Sequence, residues 1–326
     1  MNKGIFEKLH AEGLMDEKEL LAVRSTAEQQ LFSVHWEIKT MLYLGVLLLS
    51  GGLGILIYKN IDTIGHQVIL LLIGVICAGC FAYCIRQKAP FSWQKVESPN
   101  AFADYALLLG CLTFVTFIGY LQFQYTAFGT AYGLATFIPL TALTLSAYYF
   151  DHLGVLSMAI TNLAAWLGIS LTPLQILSAN HFGDDHVIYT GLLLGVFLLA
   201  VAAISNRTNL KKHFAFTYQN FGTHILFIAL TAAMWSMDDT WFVWFLLMMI
   251  AGAWVFSQAF KEHSFYFVMI TVLYCYVGIS TAVVRLLSMS HNDDGIYVGL
   301  LYLIGSAVGV ILLLINLNKK IKNAGI

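Results

Sequence analysis

His66-Gln-Val-Ile-Leu-Leu-Leu-Ile-Gly-Val-Ile-Cys-Ala-Gly-Cys-Phe-Ala-Tyr-Cys84 runs from end to end without a charged side chain. A bilayer's hydrocarbon core is about 30 Å thick, and a helix needs about 20 apolar residues to cross it. Nine further runs read the same way: Thr40–Tyr58, Ala103–Gln122, Thr130–Phe150, Leu153–Leu174, Val187–Ile204, Phe214–Trp235, Trp241–Phe260, Phe265–Leu287 and Ile296–Ile315. Backbone groups in hydrocarbon must bond within their own segment, which makes these runs helices. The short alternating segments of a transmembrane barrel are absent from the sequence. The fold expected is therefore an all-α polytopic membrane bundle of about ten transmembrane helices.

The composition agrees. Of 326 residues, 59% are hydrophobic and 11% charged, against roughly 45–50% and about 25% in a soluble domain. The mean hydropathy is +0.76. These values exclude a disordered chain, a cytosolic enzyme and a basic nucleic-acid binder, and a net charge of −1 points to no strongly charged partner. All five cysteines, Cys77, Cys80, Cys84, Cys111 and Cys275, fall in apolar runs, so no disulfide framework is expected. No cleaved signal peptide is expected either.

Lys and Arg set the expected orientation. With the N-terminus in the cytoplasm, 15 of the 17 basic residues fall inside, leaving only Lys59 and Arg285 near the outer side. Both termini are then cytoplasmic. The outer loops are acidic, with Asp62, Asp184, Asp185, Asp238, Asp239, Asp293 and Asp294. Phe150, Asp151 and His152 alone divide spans four and five, which requires a tight turn. Ahead of the spans, residues 1–38 read as a short cytoplasmic helical hairpin. Ile5, Phe6 and Leu9 form its apolar face, Gly13 stops the first helix, and Asp16 with Glu19 starts the second. Trp36 is an interfacial anchor type.

The chain also resembles itself. Ile160-Thr-Asn-Leu-Ala-Ala-Trp-Leu-Gly-Ile-Ser170 and Ile270-Thr-Val-Leu-Tyr-Cys-Tyr-Val-Gly-Ile-Ser280 agree at six of eleven positions. Ser146, Tyr149, Asp151 and His152 match Ser257, Phe260, Glu262 and His263, and Ile188, Tyr189 and Gly191 match Ile296, Tyr297 and Gly299. Three blocks in order at nearly one offset predict a duplication. The expected units are a hairpin at 1–38, a transmembrane hairpin with a basic loop at 39–100, and parallel four-helix repeats at 101–212 and 213–326. Gly191/Gly195 and Gly305/Gly309 are GxxxG pairs suited to close helix packing. Pro139 lies inside span four and is expected to kink it.

Ionisable and polar residues inside a membrane are the candidates for chemistry. On span nine, Arg285, Thr281, Gly278, Tyr274 and Thr271 share one helical face, and His224 and Asn220 share a face of span seven with Thr217. With Asn162 on span five, these residues form a candidate ligand-lining stripe. A plainer role for Arg285 is to snorkel to the interface and pair with Asp293 or Asp294. His181, Asp184, Asp185 and His186 in one outer loop, and His291, Asp293 and Asp294 in another, have the ligand types of a zinc site without an established spacing. Asp151-His152 and Glu262-His263 are expected to cap the helices that follow them. No nucleophile elbow, phosphate loop or HExxH motif occurs, so no catalytic residue and no cofactor is assigned. The carboxylates sit at helix ends or in loops, which argues against a strongly ion-coupled pump.

Glu12-Gly13-Leu14, Tyr43-Leu-Gly-Val-Leu-Leu-Leu-Ser-Gly-Gly-Leu-Gly54 and Asn60-Ile61-Asp62 resemble motifs of an uncharacterised prokaryotic membrane family, the domain of unknown function 2157. There an aromatic residue usually stands where Ile61 stands here. The resemblance covers roughly the first third of the chain and implies a bacterial inner-membrane protein. It supplies no activity and no catalytic residues.

Three functions compete. The first is a transporter-like or ligand-binding bundle for a neutral or amphipathic small molecule, in contact with membrane lipids. The second is a non-catalytic scaffold or sensor that meets a cytoplasmic protein through residues 1–38. The third is a membrane enzyme using the outer His/Asp loops. None involves nucleic acid.

Overall fold

The computed structural model describes Asp16 and residues 35–98, 100–168, 184–289 and 295–324. The N-terminal hairpin expected at 1–38 lies almost wholly outside these residues. The chain divides into two units, Met1–Thr63 and Ile64–Ile326. The first is represented by helix α1 (His35–Ile64), which carries the apolar stretch Ile38–Ile55.

The second unit holds nine helices among the described residues: α2 (His66–Gln87), α3 (Ala101–Tyr125), α4 (Tyr132–Phe150), α5 (Leu153–Trp166), α6 (Asp185–Thr208), α7 (Ala215–Ser236), α8 (Trp241–Lys261), α9 (Phe265–Met289) and α10 (Gly295–Ala324). One 3-10 turn, Lys212–Phe214, leads into α7. No strand occurs among the described residues. Each of the ten apolar runs thus has its helix, and eight helices are long and apolar enough to cross a membrane. The protein is a polytopic helical membrane protein.

The other two helices depart from expectation for separate reasons. Helix α5 ends at Trp166, short of the expected Leu174. Gly168 takes φ 83°, and its N–H bonds Ala165 O, which closes the helix there. Its 14 residues extend only about 21 Å at 1.5 Å per residue. Helix α7 is long enough but carries Thr217, Tyr218, Gln219, Asn220, Thr223 and His224 in its first half. It tolerates them because it is the helix most enclosed by protein: it touches α5, α6, α8 and α9, and most of its side chains are buried. Four of the six are buried, and the half-buried Asn220 and His224 bond to tyrosines of α9, so their polar atoms do not depend on lipid.

The helices pack as successive hairpins, α2 on α3, α4 on α5, α6 on α7 and α8 on α9, with α10 laid along α9. The closest approach of a glycine to a neighbouring helix's backbone is between α6 and α7. A Cβ built on Gly195 would stand 2.8 Å from Leu226 N, so only glycine fits. By contrast, a Cβ at Gly305 or Gly309 would meet nothing within 4 Å, so the second expected GxxxG pair packs against no described residue. The main core joins Leu107, Cys111, Leu143, Leu156, Ile160, Leu198 and Phe214 from α3 to the start of α7, and a second joins Leu199, Phe227, Met234, Met248 and Val255 across α6, α7 and α8.

Candidate functional site

The polar stripe foreseen on spans seven and nine exists, but it is a seam. Tyr266 OH donates to Asn220 Oδ1 at 2.7 Å, and His224 Nδ1 pairs with Tyr274 OH at 2.9 Å. Trp235 Nε1 donates to Thr281 Oγ1 at 3.2 Å, and Arg285 Nη2 donates to Met234 O at 2.8 Å. Four contacts therefore tie α7 to α9 from one end to the other. Tyr274 also stacks on Phe227, with ring centroids 5.1 Å apart. Thr271 is buried and spends its hydroxyl on Phe267 O of its own helix. Asn162 is half-buried on α5 and takes no part in the four contacts of the seam. The side chains of Asn220, His224, Tyr274, Thr281 and Arg285 all have protein partners in the seam, and neither the large apolar space nor the two smaller cavities is lined by Arg285, Tyr274 or His224.

Arg285 finds a carboxylate other than the two expected. Its Nη2 lies 2.9 Å from Asp238 Oδ1, just past the end of α7, whereas Asp293 and Asp294 lie outside the described residues. The same guanidinium takes the free carbonyls at the end of α7, where cations are favoured.

Of the zinc-type residues, His181, His291, Asp293 and Asp294 are outside the described set. Asp184 instead caps α6 by accepting from His186 N at 2.9 Å, and Asp185 and His186 are exposed. Among the described residues, no three His, Cys, Asp or Glu side chains gather closely enough to hold a metal.

Asp151 and His152 divide the expected capping role unevenly. His152 Nδ1 accepts from Val155 N and caps α5. Asp151 ends α4 in the left-handed region, φ 59°, and its carboxylate faces away from α5. Oδ1 receives Lys211 Nζ at 2.9 Å and His213 Nε2 at 2.6 Å, while Oδ2 accepts from Val96 N. Lys211 and Asp151 are each 2% exposed at the side chain. Lys211 Nζ meets the carboxylate off the direction of a formed hydrogen bond, so the contact is an ion pair held by charge. Its ammonium also lies 5.3 Å from the Phe91 ring centroid. Lys211 N donates to Trp93 O at 2.8 Å. One carboxylate thus fastens the 88–98 loop, the α4–α5 turn and the α6–α7 connection. A cavity of about 40 Å³ beside it is the size of a water or two.

The larger space opens elsewhere, among α4, α5, α6 and α7. It measures about 570 Å³, with walls of Leu145, Leu156, Leu163, Phe197 and Val201 among others. Thr141 and Thr144 line it, but their hydroxyls are committed to Phe137 O and Leu140 O of their own helix. Pro139 stands one residue before its lining begins at Leu140 and remains within α4. The free polarity of this space is one pair, Tyr148 OH and Tyr218 OH, 2.9 Å apart. Sequence reading missed both tyrosines because nothing marks a tyrosine in an apolar run as inward-facing. Asp151 was legible only as a turn and a helix cap, since Lys211 and His213 lie some sixty residues further on.

The arrangement defines a class: a helical membrane bundle whose enclosed polar contacts hold helices together and whose largest described cavity is apolar. Residues 7–156 match the family described as "Predicted membrane protein (DUF2157)". The match reaches past the hundred residues whose motifs carried the resemblance, through α4 and into α5. No curated protein and no solved structure matches the chain.

Proposed function

We propose that the protein is a membrane-embedded binding bundle for an amphipathic small molecule, whose apolar chain seats in the space between α4, α5, α6 and α7. The observation that carries this reading is that space: about 570 Å³, apolar-walled, with a single hydroxyl pair. Its volume falls in the range of about 300–1,000 Å³ typical of small-molecule sites, which are apolar with few polar groups. The Tyr148–Tyr218 pair can donate and accept one further hydrogen bond, enough to orient a neutral polar group. A transporter-like role is the natural extension of this reading.

We also infer a bacterial inner-membrane location with both chain ends in the cytoplasm. The support is the clustering of Arg86, Lys88, Lys95, Arg207, Lys212 and Lys261 at one end of the helices. The four-helix repeat is part of the same proposal. It is supported by packing that recurs within the two units, in which α3 meets α4 and α4 lies on α5 as α7 meets α8 and α8 lies on α9.

The test is photolabelling in nanodiscs with a diazirine-bearing fatty acid. The reading expects saturable labelling on α4 or α6, competed by unlabelled fatty acid, and at least fivefold less in Ala159→Phe, which fills the space from α5. Even labelling over all lipid-facing helices, unchanged in Ala159→Phe, would overturn it.

A further inference from the structure

A second space lies at the basic end of the bundle, where α6 ends, α7 begins and α8 turns into α9. It measures about 430 Å³ and is lined by Asn206, Lys212, His213, Gln219, Glu262 and Ser264 above the rings of Phe216 and Phe267. Unlike the α7–α9 seam, its polar groups share only one long bond with one another, from Asn206 to Glu262. Gln219 is 9% exposed, yet no described residue hydrogen-bonds its side-chain amide. Its amide atoms keep access to the cleft, where a bound group can take them up. Lys212 is exposed and pairs with no carboxylate among the described residues. Glu262 Oε1 accepts only a long bond, 3.5 Å, from Asn206 Nδ2. His213 gives Nε2 to Asp151 and keeps its other ring nitrogen.

The lining therefore offers an ammonium, a carboxylate and an amide that both donates and accepts. A simple anion would be opposed by Glu262, and a simple cation by Lys212. A molecule that carries both signs satisfies both. The floor is apolar: Phe216 and Phe267 lie 5.3 Å apart, and Phe267 is 1% exposed. The charged groups Lys212 and Glu262 are exposed at helix ends, and the amide of Gln219 lies deeper.

We infer that this cleft binds a small zwitterion, an oxyanion joined to an ammonium by a short linker. Lys212 and His213 take the oxyanion, Glu262 takes the ammonium, and Gln219 bonds the linker or anion from beneath. Such a group can come from a lipid headgroup or from a free solute. The site stands apart from the α4–α7 space, so either can fail without the other.

The test uses the full chain. In phosphatidylcholine nanodiscs, free phosphoethanolamine is titrated calorimetrically, with inorganic phosphate and ethanolamine as half-ligands. In a parallel arm, retention of phosphatidylethanolamine over phosphatidylcholine is measured by native mass spectrometry. Saturable binding of phosphoethanolamine, at least tenfold tighter than either half, supports the site with a free source. Selective retention of phosphatidylethanolamine supports it with a lipid source. Gln219→Leu and the exposed Glu262→Gln should each lower the positive signal at least tenfold without lowering the melting temperature. The inference is overturned if neither arm gives selective binding, if phosphate alone binds as tightly as the zwitterion, or if both variants bind as the wild type does.

Discussion

Replacing Asp151 by alanine removes the anion from a site in which Lys211 and Asp151 are each 2% exposed. Lys211 would then hold a buried ammonium with no counter-charge, a change that costs about 3–5 kcal/mol. Val96 N loses its acceptor as well, so the upper half of that range is the better guide. A chain of this size loses about 2 °C of melting temperature per kcal/mol, and the expected drop is therefore about 8–10 °C. Asp151→Asn keeps an acceptor for Val96 but not the charge, and should recover only part of the loss. Lys211→Met should be milder than either, because Asp151 keeps His213 and Val96 N as partners. The assay is tryptophan-fluorescence melting of the purified chain in detergent, with the exposed Asp239→Ala as reference. The reasoning is refuted if Asp151→Ala melts within 1 °C of that reference, or if Lys211→Met is the more damaging change.

Gly195→Leu should fail to give a monodisperse peak in fluorescence-detected size exclusion, because its Cβ would overlap Leu226 backbone, whereas Gly305→Leu, with nothing within 4 Å, should behave as wild type. His224→Phe and Tyr274→Phe should each cost about 0.6–1.7 kcal/mol, the usual worth of a polar contact between membrane helices, and the double variant should cost little more than either single one because they share a single bond. Arg285→Met should lower stability chiefly through the lost bond to Met234 O. Its ion pair with the exposed Asp238 is worth about 1 kcal/mol or less, so high salt should leave most of the difference from wild type in place. In a cysteine-free background, Cys at Asp239 should react with an impermeant maleimide in intact cells, while Cys at Ser98 should react only after permeabilisation.

Span count was legible because an uninterrupted apolar run is a long signal, and each run has its helix. Where boundaries moved, a local conformation decided them: Gly168 closes α5, and Lys319, Lys320 and Lys322 stay helical beyond the apolar part of α10. Polarity was legible too, since Arg285, His224, Tyr274 and Asn220 do share one helical seam. What helical spacing could not reveal is whether a polar face looks into a cavity or at another polar face. That depends on the partner helix, and Tyr266 and Trp235 had no mark as partners. The ion pair at Asp151 joins distant segments, and the apolar cavity is a packing shortfall that no residue type announces.

A cryo-EM map of the full chain in lipid nanodiscs would address the binding bundle itself. The account predicts elongated non-protein density among α4, α5, α6 and α7, ending beside Tyr148 and Tyr218. A map in which those walls meet and leave no room for an acyl-sized chain would contradict it.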